Sequence, residues 1–160
     1  MLASLADAPL TDPQLVYEPK YDGIRAIAEV DPSGRVRLWS RLGNDKTAQF
    51  PEIVQALRAW AQHLESAVVL DGEIVALDAL GEPSGFQQLQ GRINVGAQHV
   101  IPGGSPVAFI VFDILRDGPR DLRDRPLTER RAELERLIGH PNTRVIRRSE
   151  EHTSELQSQR

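Results

Sequence analysis

Apolar residues recur at every second position at Ile24, Ala26, Ala28 and Val30, stop at Asp31-Pro32-Ser33-Gly34, and resume at Val36 and Leu38. A period of two with turn residues between its halves predicts an antiparallel hairpin. The whole stretch from Leu15 to Trp39 reads as strand, loop, strand, turn and strand. From Pro51 to Leu64 the spacing changes: Ile53, Val54, Leu57, Trp60, Ala61 and Leu64 share one helical face, and Pro51 suits a first helical turn. Two short β-prone runs follow, Ala67 to Leu70 and Ile74 to Leu77, interrupted by the polar triplet Asp71-Gly72-Glu73. Gly81 to Gly85 marks a loop, Phe86 to Arg92 a short helix, and Ile101 to Pro106 another loop. The segment Val107 to Leu115 is apolar almost throughout, as expected of a central strand covered on both faces. After a turn at Asp117 to Arg120, Pro126 opens a second amphipathic helix through Leu127, Leu134, Leu137 and Ile138, closed by Gly139. Mixed strands with few helices, in no regular alternation, give the class α+β.

The string from Arg148 to Ser158 has no apolar period and nothing to bury. It matches the translation of a widely used sequencing-adapter oligonucleotide. The expected organisation is therefore one domain over residues 1–147 and a non-native, disordered tail over 148–160 that replaces the natural continuation.

The length of 160 residues suits one core, and 40% hydrophobic with 26% charged residues is ordinary for a globular protein. No apolar run approaches the roughly 20 residues that span a bilayer, and the N-terminus lacks the layout of a secretory signal, so no membrane partner is expected. The absence of cysteine excludes disulfides and thiolate metal sites and fits a reducing cytoplasm. A net charge of -4 argues against holding nucleic acid by bulk charge. Ten arginines nevertheless gather between Arg116 and Arg148. They suit either phosphate contacts or, because Asp117, Asp121, Asp124, Glu129, Glu133 and Glu135 are interleaved, a solvated face with its own partners.

The densest chemistry lies in Glu18-Pro19-Lys20-Tyr21-Asp22-Gly23-Ile24-Arg25. A lysine attacks phosphorus only as the neutral amine, so its site must lower its pKa by desolvation or a neighbouring cation such as Arg25. Asp22 opposes this unless metal, arginine or backbone engages it. Gly23 permits a tight turn or a close backbone approach to a nucleotide. By composition alone the segment is equally a surface turn with a solvated lysine.

Lys20-Tyr21-Asp22-Gly23-Ile24-Arg25 resembles the K-x-D-G-x-R signature of the covalent nucleotidyltransferases, which comprise ATP-dependent DNA ligases, RNA ligases and mRNA capping enzymes. Ser40-Arg41-Leu42-Gly43-Asn44-Asp45, Asp71-Gly72-Glu73 and Phe112-Asp113-Ile114-Leu115 follow in that family's order. Glu18-Pro19-Lys20, the Ser-Arg-x-Gly-Asn-Asp phrase, and Arg125-Pro126-Leu127 with Arg130-Arg131 resemble the ligase domain of bacterial end-joining enzymes, often called ligase D. The resemblance covers roughly residues 1 to 147. It implies the ligase and capping-enzyme nucleotidyltransferase fold, antiparallel sheets flanked by helices, in which Lys20 takes AMP from ATP as a phosphoramidate. AMP then passes to a 5′-phosphate of nicked or broken double-stranded DNA for sealing in repair and recombination.

The same resemblance implies roles position by position. Glu18 contacts the adenine edge, and Arg25 and Arg41 act on ribose and phosphates. Glu73 meets the ribose or holds a Mg²⁺ ion, and Phe112 stacks on adenine, although an aromatic residue in an apolar strand is also plain core. The cofactors implied are ATP as substrate and Mg²⁺. The parent is expected in the bacterial cytoplasm at the nucleoid, and whether it carries fused polymerase or nuclease domains is left open by the sequence. The family's later motifs, a glutamate-glycine element and a lysine pair, do not occur before residue 148, so the chain is expected to be truncated. An RNA ligase, a capping guanylyltransferase, or an inactive nucleotide-binding fragment stand as alternatives.

Overall fold

The computed structural model describes residues 18–93, 104–139 and 143–149. Two strands, β1 (Ile24–Val30) and β2 (Val36–Ser40), form the expected hairpin. Its turn is held by Asp31, whose carboxylate accepts the Ser33 N–H at 2.7 Å, while Gly34 takes φ of 83°, which a side chain would resist.

Helix α1 (Pro51–Ala61) turns Ile53, Val54, Leu57 and Ala61 inward. It ends three residues before the periodicity does. Beyond it the backbone tightens into i to i+3 bonds, His63 N–H to Trp60 O and Leu64 N–H to Ala61 O, and Leu64 still enters the core.

The two runs around Asp71-Gly72-Glu73 are one uninterrupted strand, β3 (Val68–Leu77). The strand expected to break at the polar triplet does not break, for steric and electrostatic reasons. A Cβ on Gly72 would lie 2.5 Å from Ile110 O and 2.6 Å from the Phe109 ring, so the missing side chain is what lets the neighbouring strand pack here. The buried Asp71 is tolerated because an arginine meets it.

Strand β4 (Pro83–Ser84) pairs with the end of β3. Phe86–Leu89 is a single 3₁₀ turn that runs into α2 (Gln90–Ile93), the short helix expected there. Strand β5 (Val107–Asp117) is central, with β3 on one edge and β6 (Arg120–Asp121) and β7 (Ile146–Arg148) on the other. Helix α3 (Leu127–Ile138) follows Pro126 and stops at Gly139, whose φ is 60°.

Among the described residues the strands make one seven-stranded sheet, with β2-β1-β3-β5-β6 as its path. The sequence expectation was of antiparallel sheets. All pairings are antiparallel except β5 with β7. Arg148, assigned to the tail by sequence, ends β7 opposite Val111. The strand expected near Leu15 and tail residues 150–160 lie outside the described residues, as do residues 101–103 of the loop at 101–106.

One face of the sheet carries the main core. Ala26, Ala28, Leu38, Leu70, Ile74, Phe109 and Val111 meet Ile53 and Leu57 of α1 and Leu134 of α3, all buried. Each such Leu, Ile or Phe stabilises by roughly 1.5–3 kcal/mol. No helix of the described residues is long and apolar enough to cross a membrane.

Of the described residues, 21–148 form one compact unit, and 18–20 and 149 belong to a second.

Candidate active site

The opposite face of the 21–148 unit is built from the alternate residues of the same strands. Val75, Leu77, Ala108 and Ile110 form a small apolar cluster there, and Tyr21 packs against it. Tyr21, an unspecified position of the lysine signature, thus anchors the chain just before it enters β1.

Cross-strand register brings the polar residues to the same face. Arg25 of β1 is opposite Glu73 of β3, and Ile27 is opposite Asp71. Arg25 grips Asp71 at two points, Nε to Oδ1 at 3.0 Å and Nη2 to Oδ2 at 2.6 Å. The guanidinium also lies over the Phe112 ring, 5.6 Å from its centre. The Asp71 hydrogen bond raises the pKa of Arg25 further, against the opposing pull of burial.

Phe112 reaches this position through an irregularity in β5. Gly72 pairs with Val111 and Asp71 with Asp113, so Phe112 is an extra residue with no partner on β3. Such a bulge lets two successive side chains lie on one side of a sheet. Val111 and Ile114 enter the main core, while Phe112 and Asp113 stay half-buried away from it.

Glu73 is half-buried, and burial pushes its carboxyl up to about 7. The Gly23 backbone N–H and the Arg25 charge act the other way but do not outweigh it. At neutral pH the carboxyl is divided between its acid and its carboxylate.

Gly23 has a reason that sequence did not disclose. A Cβ there would lie 2.1 Å from Ile74 O and 3.1 Å from Glu73 Cγ, so the glycine is required by the crossing of the signature loop over β3. Asp22 is engaged by backbone: its Oδ2 accepts the Phe86 N–H at 3.2 Å. That is one of the ways in which its pull on a nearby amine is weakened.

The structure therefore brings Arg25, Glu73 and Phe112 together. Arg41 is exposed in the turn after β2, one step beyond the Ala26–Ser40 pair and so at the Arg25 end of the sheet. Lys20 and Glu18 are exposed and belong to the other unit. Asp71, Asp113, Tyr21 and Arg130 were given no role by sequence. All four stood inside the quoted motifs, which was the available signal.

The gathered arginines of the C-terminal part are mostly committed within the fold. Arg120 and Arg136 both meet Asp117 and Glu133, Arg123 meets Asp121, Arg130 meets Asp113, and Arg148 meets Glu135. Of the two sequence readings, the structure favours arginines with their own acidic partners. Among the described residues there is no group of three or more His, Asp and Glu set to hold a metal ion.

Comparison with known proteins bears on this geometry. The family model for the ATP dependent DNA ligase domain matches residues 1–159. The chain is 40% identical over 125 residues to a probable DNA ligase of Streptomyces coelicolor, covering 78% of this chain and 24% of that protein. It is 37% identical over 143 residues to the multifunctional non-homologous end joining protein LigD of Pseudomonas aeruginosa, covering 86% of this chain and 15% of the relative. A solved mycobacterial DNA ligase D, complexed with ATP and MES, superposes with a TM-score of 0.66 at 37% identity. The match covers 85% of this chain and 40% of that one. The chain thus spans a quarter or less of the length of these curated relatives.

Proposed function

The chain belongs to the family of ATP-dependent DNA ligase domains, and from that premise we propose that it is the lysine-bearing part of a DNA ligase. Lys20 attacks the α-phosphate of ATP. The new N–P bond forms as the bond to pyrophosphate breaks, the amine gives up its proton, and AMP remains as a phosphoramidate. The substrate inferred for the second half-reaction is the 5′-phosphate of a DNA nick or end, in keeping with the end-joining name of the Pseudomonas relative. Such a protein works in the bacterial cytoplasm on the nucleoid.

The observation that supports this reading is the convergence of Arg25, Glu73 and Phe112, from three neighbouring strands, on the face that the main core does not use. Phe112 offers a ring for a purine. Arg25 covers one side of that ring, so the base takes the other side or displaces the guanidinium. Glu73, with its pKa near neutrality, can accept a hydrogen bond from a ribose hydroxyl as carboxylate or donate one as acid. Arg41, exposed at the same end of the sheet, suits phosphate oxygens. Glu18 is assigned to the adenine edge.

Mg²⁺ fits this arrangement only in part. Glu73 is the residue that would hold it, with nucleotide oxygens and water completing the shell. When bound, the ion neutralises charge on the phosphates.

The test is incubation with ATP or GTP labelled at the α-phosphate, with Mg²⁺, followed by denaturing electrophoresis. Label is expected on the chain from ATP, absent from GTP, and lost in Lys20→Ala. Label from GTP turns the assignment to a capping enzyme, and label that survives Lys20→Ala removes the nucleophile from it.

A further inference from the structure

Asp71 and Asp113 are register partners across β3 and β5. Like charges directly opposite each other destabilise a sheet unless each is neutralised. Here each carboxylate has its own two-point arginine. Arg25 holds Asp71, and Arg130 of α3 holds Asp113, Nε to Oδ1 at 2.8 Å and Nη2 to Oδ2 at 3.0 Å. The two pairs differ in exposure. The side chains of Arg130 and Asp113 are 11% and 16% exposed, whereas Arg25 is 39% exposed over a buried Asp71. One pair is part of the framework, and the other opens onto the candidate site. The next residue of α3, Arg131, donates from Nη1 to the carbonyl of Phe112 at 3.0 Å, at the bulge itself.

Resting on the reading of this face as a nucleotide site, we propose that Arg130 is a positioning residue for Arg25, with Arg131 fixing the bulge that presents Phe112. By satisfying Asp113, Arg130 leaves Asp71 as the partner of Arg25 and keeps that guanidinium over the ring. Without Arg130, a bare Asp113 carboxylate competes for the nearest cation. One cation whose charge already senses Asp113 is Arg25. Arg25 is then drawn off Asp71 and off Phe112. The Arg-Pro-Leu…Arg-Arg phrase acquires this purpose: α3 sets the geometry of the site from behind it.

The offending group in this account is the freed carboxylate, so removing it restores the site. A purely packing role for Arg130 gives no such rescue. The four phenylalanines can be replaced by 4-fluorophenylalanine in the whole chain, and the Phe112 signal assigned by its loss in Phe112→Leu. Arg130→Gln is expected to move the Phe112 fluorine resonance toward its position in Arg25→Gln, and to weaken ATP binding about tenfold. Arg130→Gln with Asp113→Asn is expected to return the resonance and most of the affinity. Should Arg130→Gln fail to fold, Arg130→Lys, which keeps the charge but not the fork, is expected to shift the resonance part of the way. A Phe112 resonance unmoved by the Arg130 variants, or displaced equally in the double variant, overturns the proposal. If the unmodified chain binds no ATP, the functional reading fails by itself, while the fluorine signal still decides whether Arg130 places Arg25.

Discussion

Phe109 and Phe112 stand three residues apart on one strand and live in different chemistry. Phe109 is fully buried in the main core, its ring set against the backbone of Gly72. Phe112, displaced by a bulge, is half-buried beneath a guanidinium. The same contrast divides the whole sheet. One face meets α1 and α3 through a large apolar cluster, and the other has four buried apolar residues and a set of paired charges. The first face holds the fold together. The second can carry reactive groups because its charges are matched in place: Arg25 meets Asp71, and Arg130 meets Asp113.

That division is breakable by experiment. Phe109→Ala is expected to cost about 3–5 kcal/mol, read from the urea midpoint, because it leaves a cavity in a fully packed core. Phe112→Ala is expected to cost about 1 kcal/mol, since its ring is only half-buried, yet to weaken nucleotide labelling severely. Equal losses of stability in the two variants erase the distinction between the faces.

Glu73 sharpens the comparison through pH. Its carboxyl titrates near 7 in the folded chain against 4.5 ordinarily, so between these values the folded chain keeps a proton that the unfolded chain has released. Its contribution to stability is therefore complete below about 4.5 and is lost as pH rises through about 7. Thermal melting of Glu73→Gln should show a flatter profile over this window than the parent. A window that persists unchanged in the variant assigns it to another group. The smallest effect belongs to the exposed pair of Arg123 and Asp121. Arg123→Ala is expected to leave the melting temperature unchanged within error, as befits a surface ion pair.

Much of the fold is legible from spacing. The hairpin, α1, α3 and the central position of β5 follow from periods of two and 3.6 and from turn residues at their ends. Asp71-Gly72-Glu73 misleads for a physical reason. A polar triplet looks like a break, and what keeps the strand whole is an arginine 46 residues earlier and a ring 37 residues later. The arginines between Arg116 and Arg148 admit two readings until their partners are located, because charge pairing over the surface depends on which side chains meet.

The local pattern of this chain determines its hairpin, its two longer helices, its central strand and the motif residues Lys20, Arg25, Arg41, Glu73 and Phe112, since periodicity and motif order are properties of neighbouring positions. Tertiary structure alone decides that Phe112 is bulged, that Arg25 pairs with Asp71, that Glu73 titrates near 7 and that α3 reaches the back of the site through Arg130. Register, burial and ion pairing join residues far apart in the chain. Their energies exist only once the strands lie side by side.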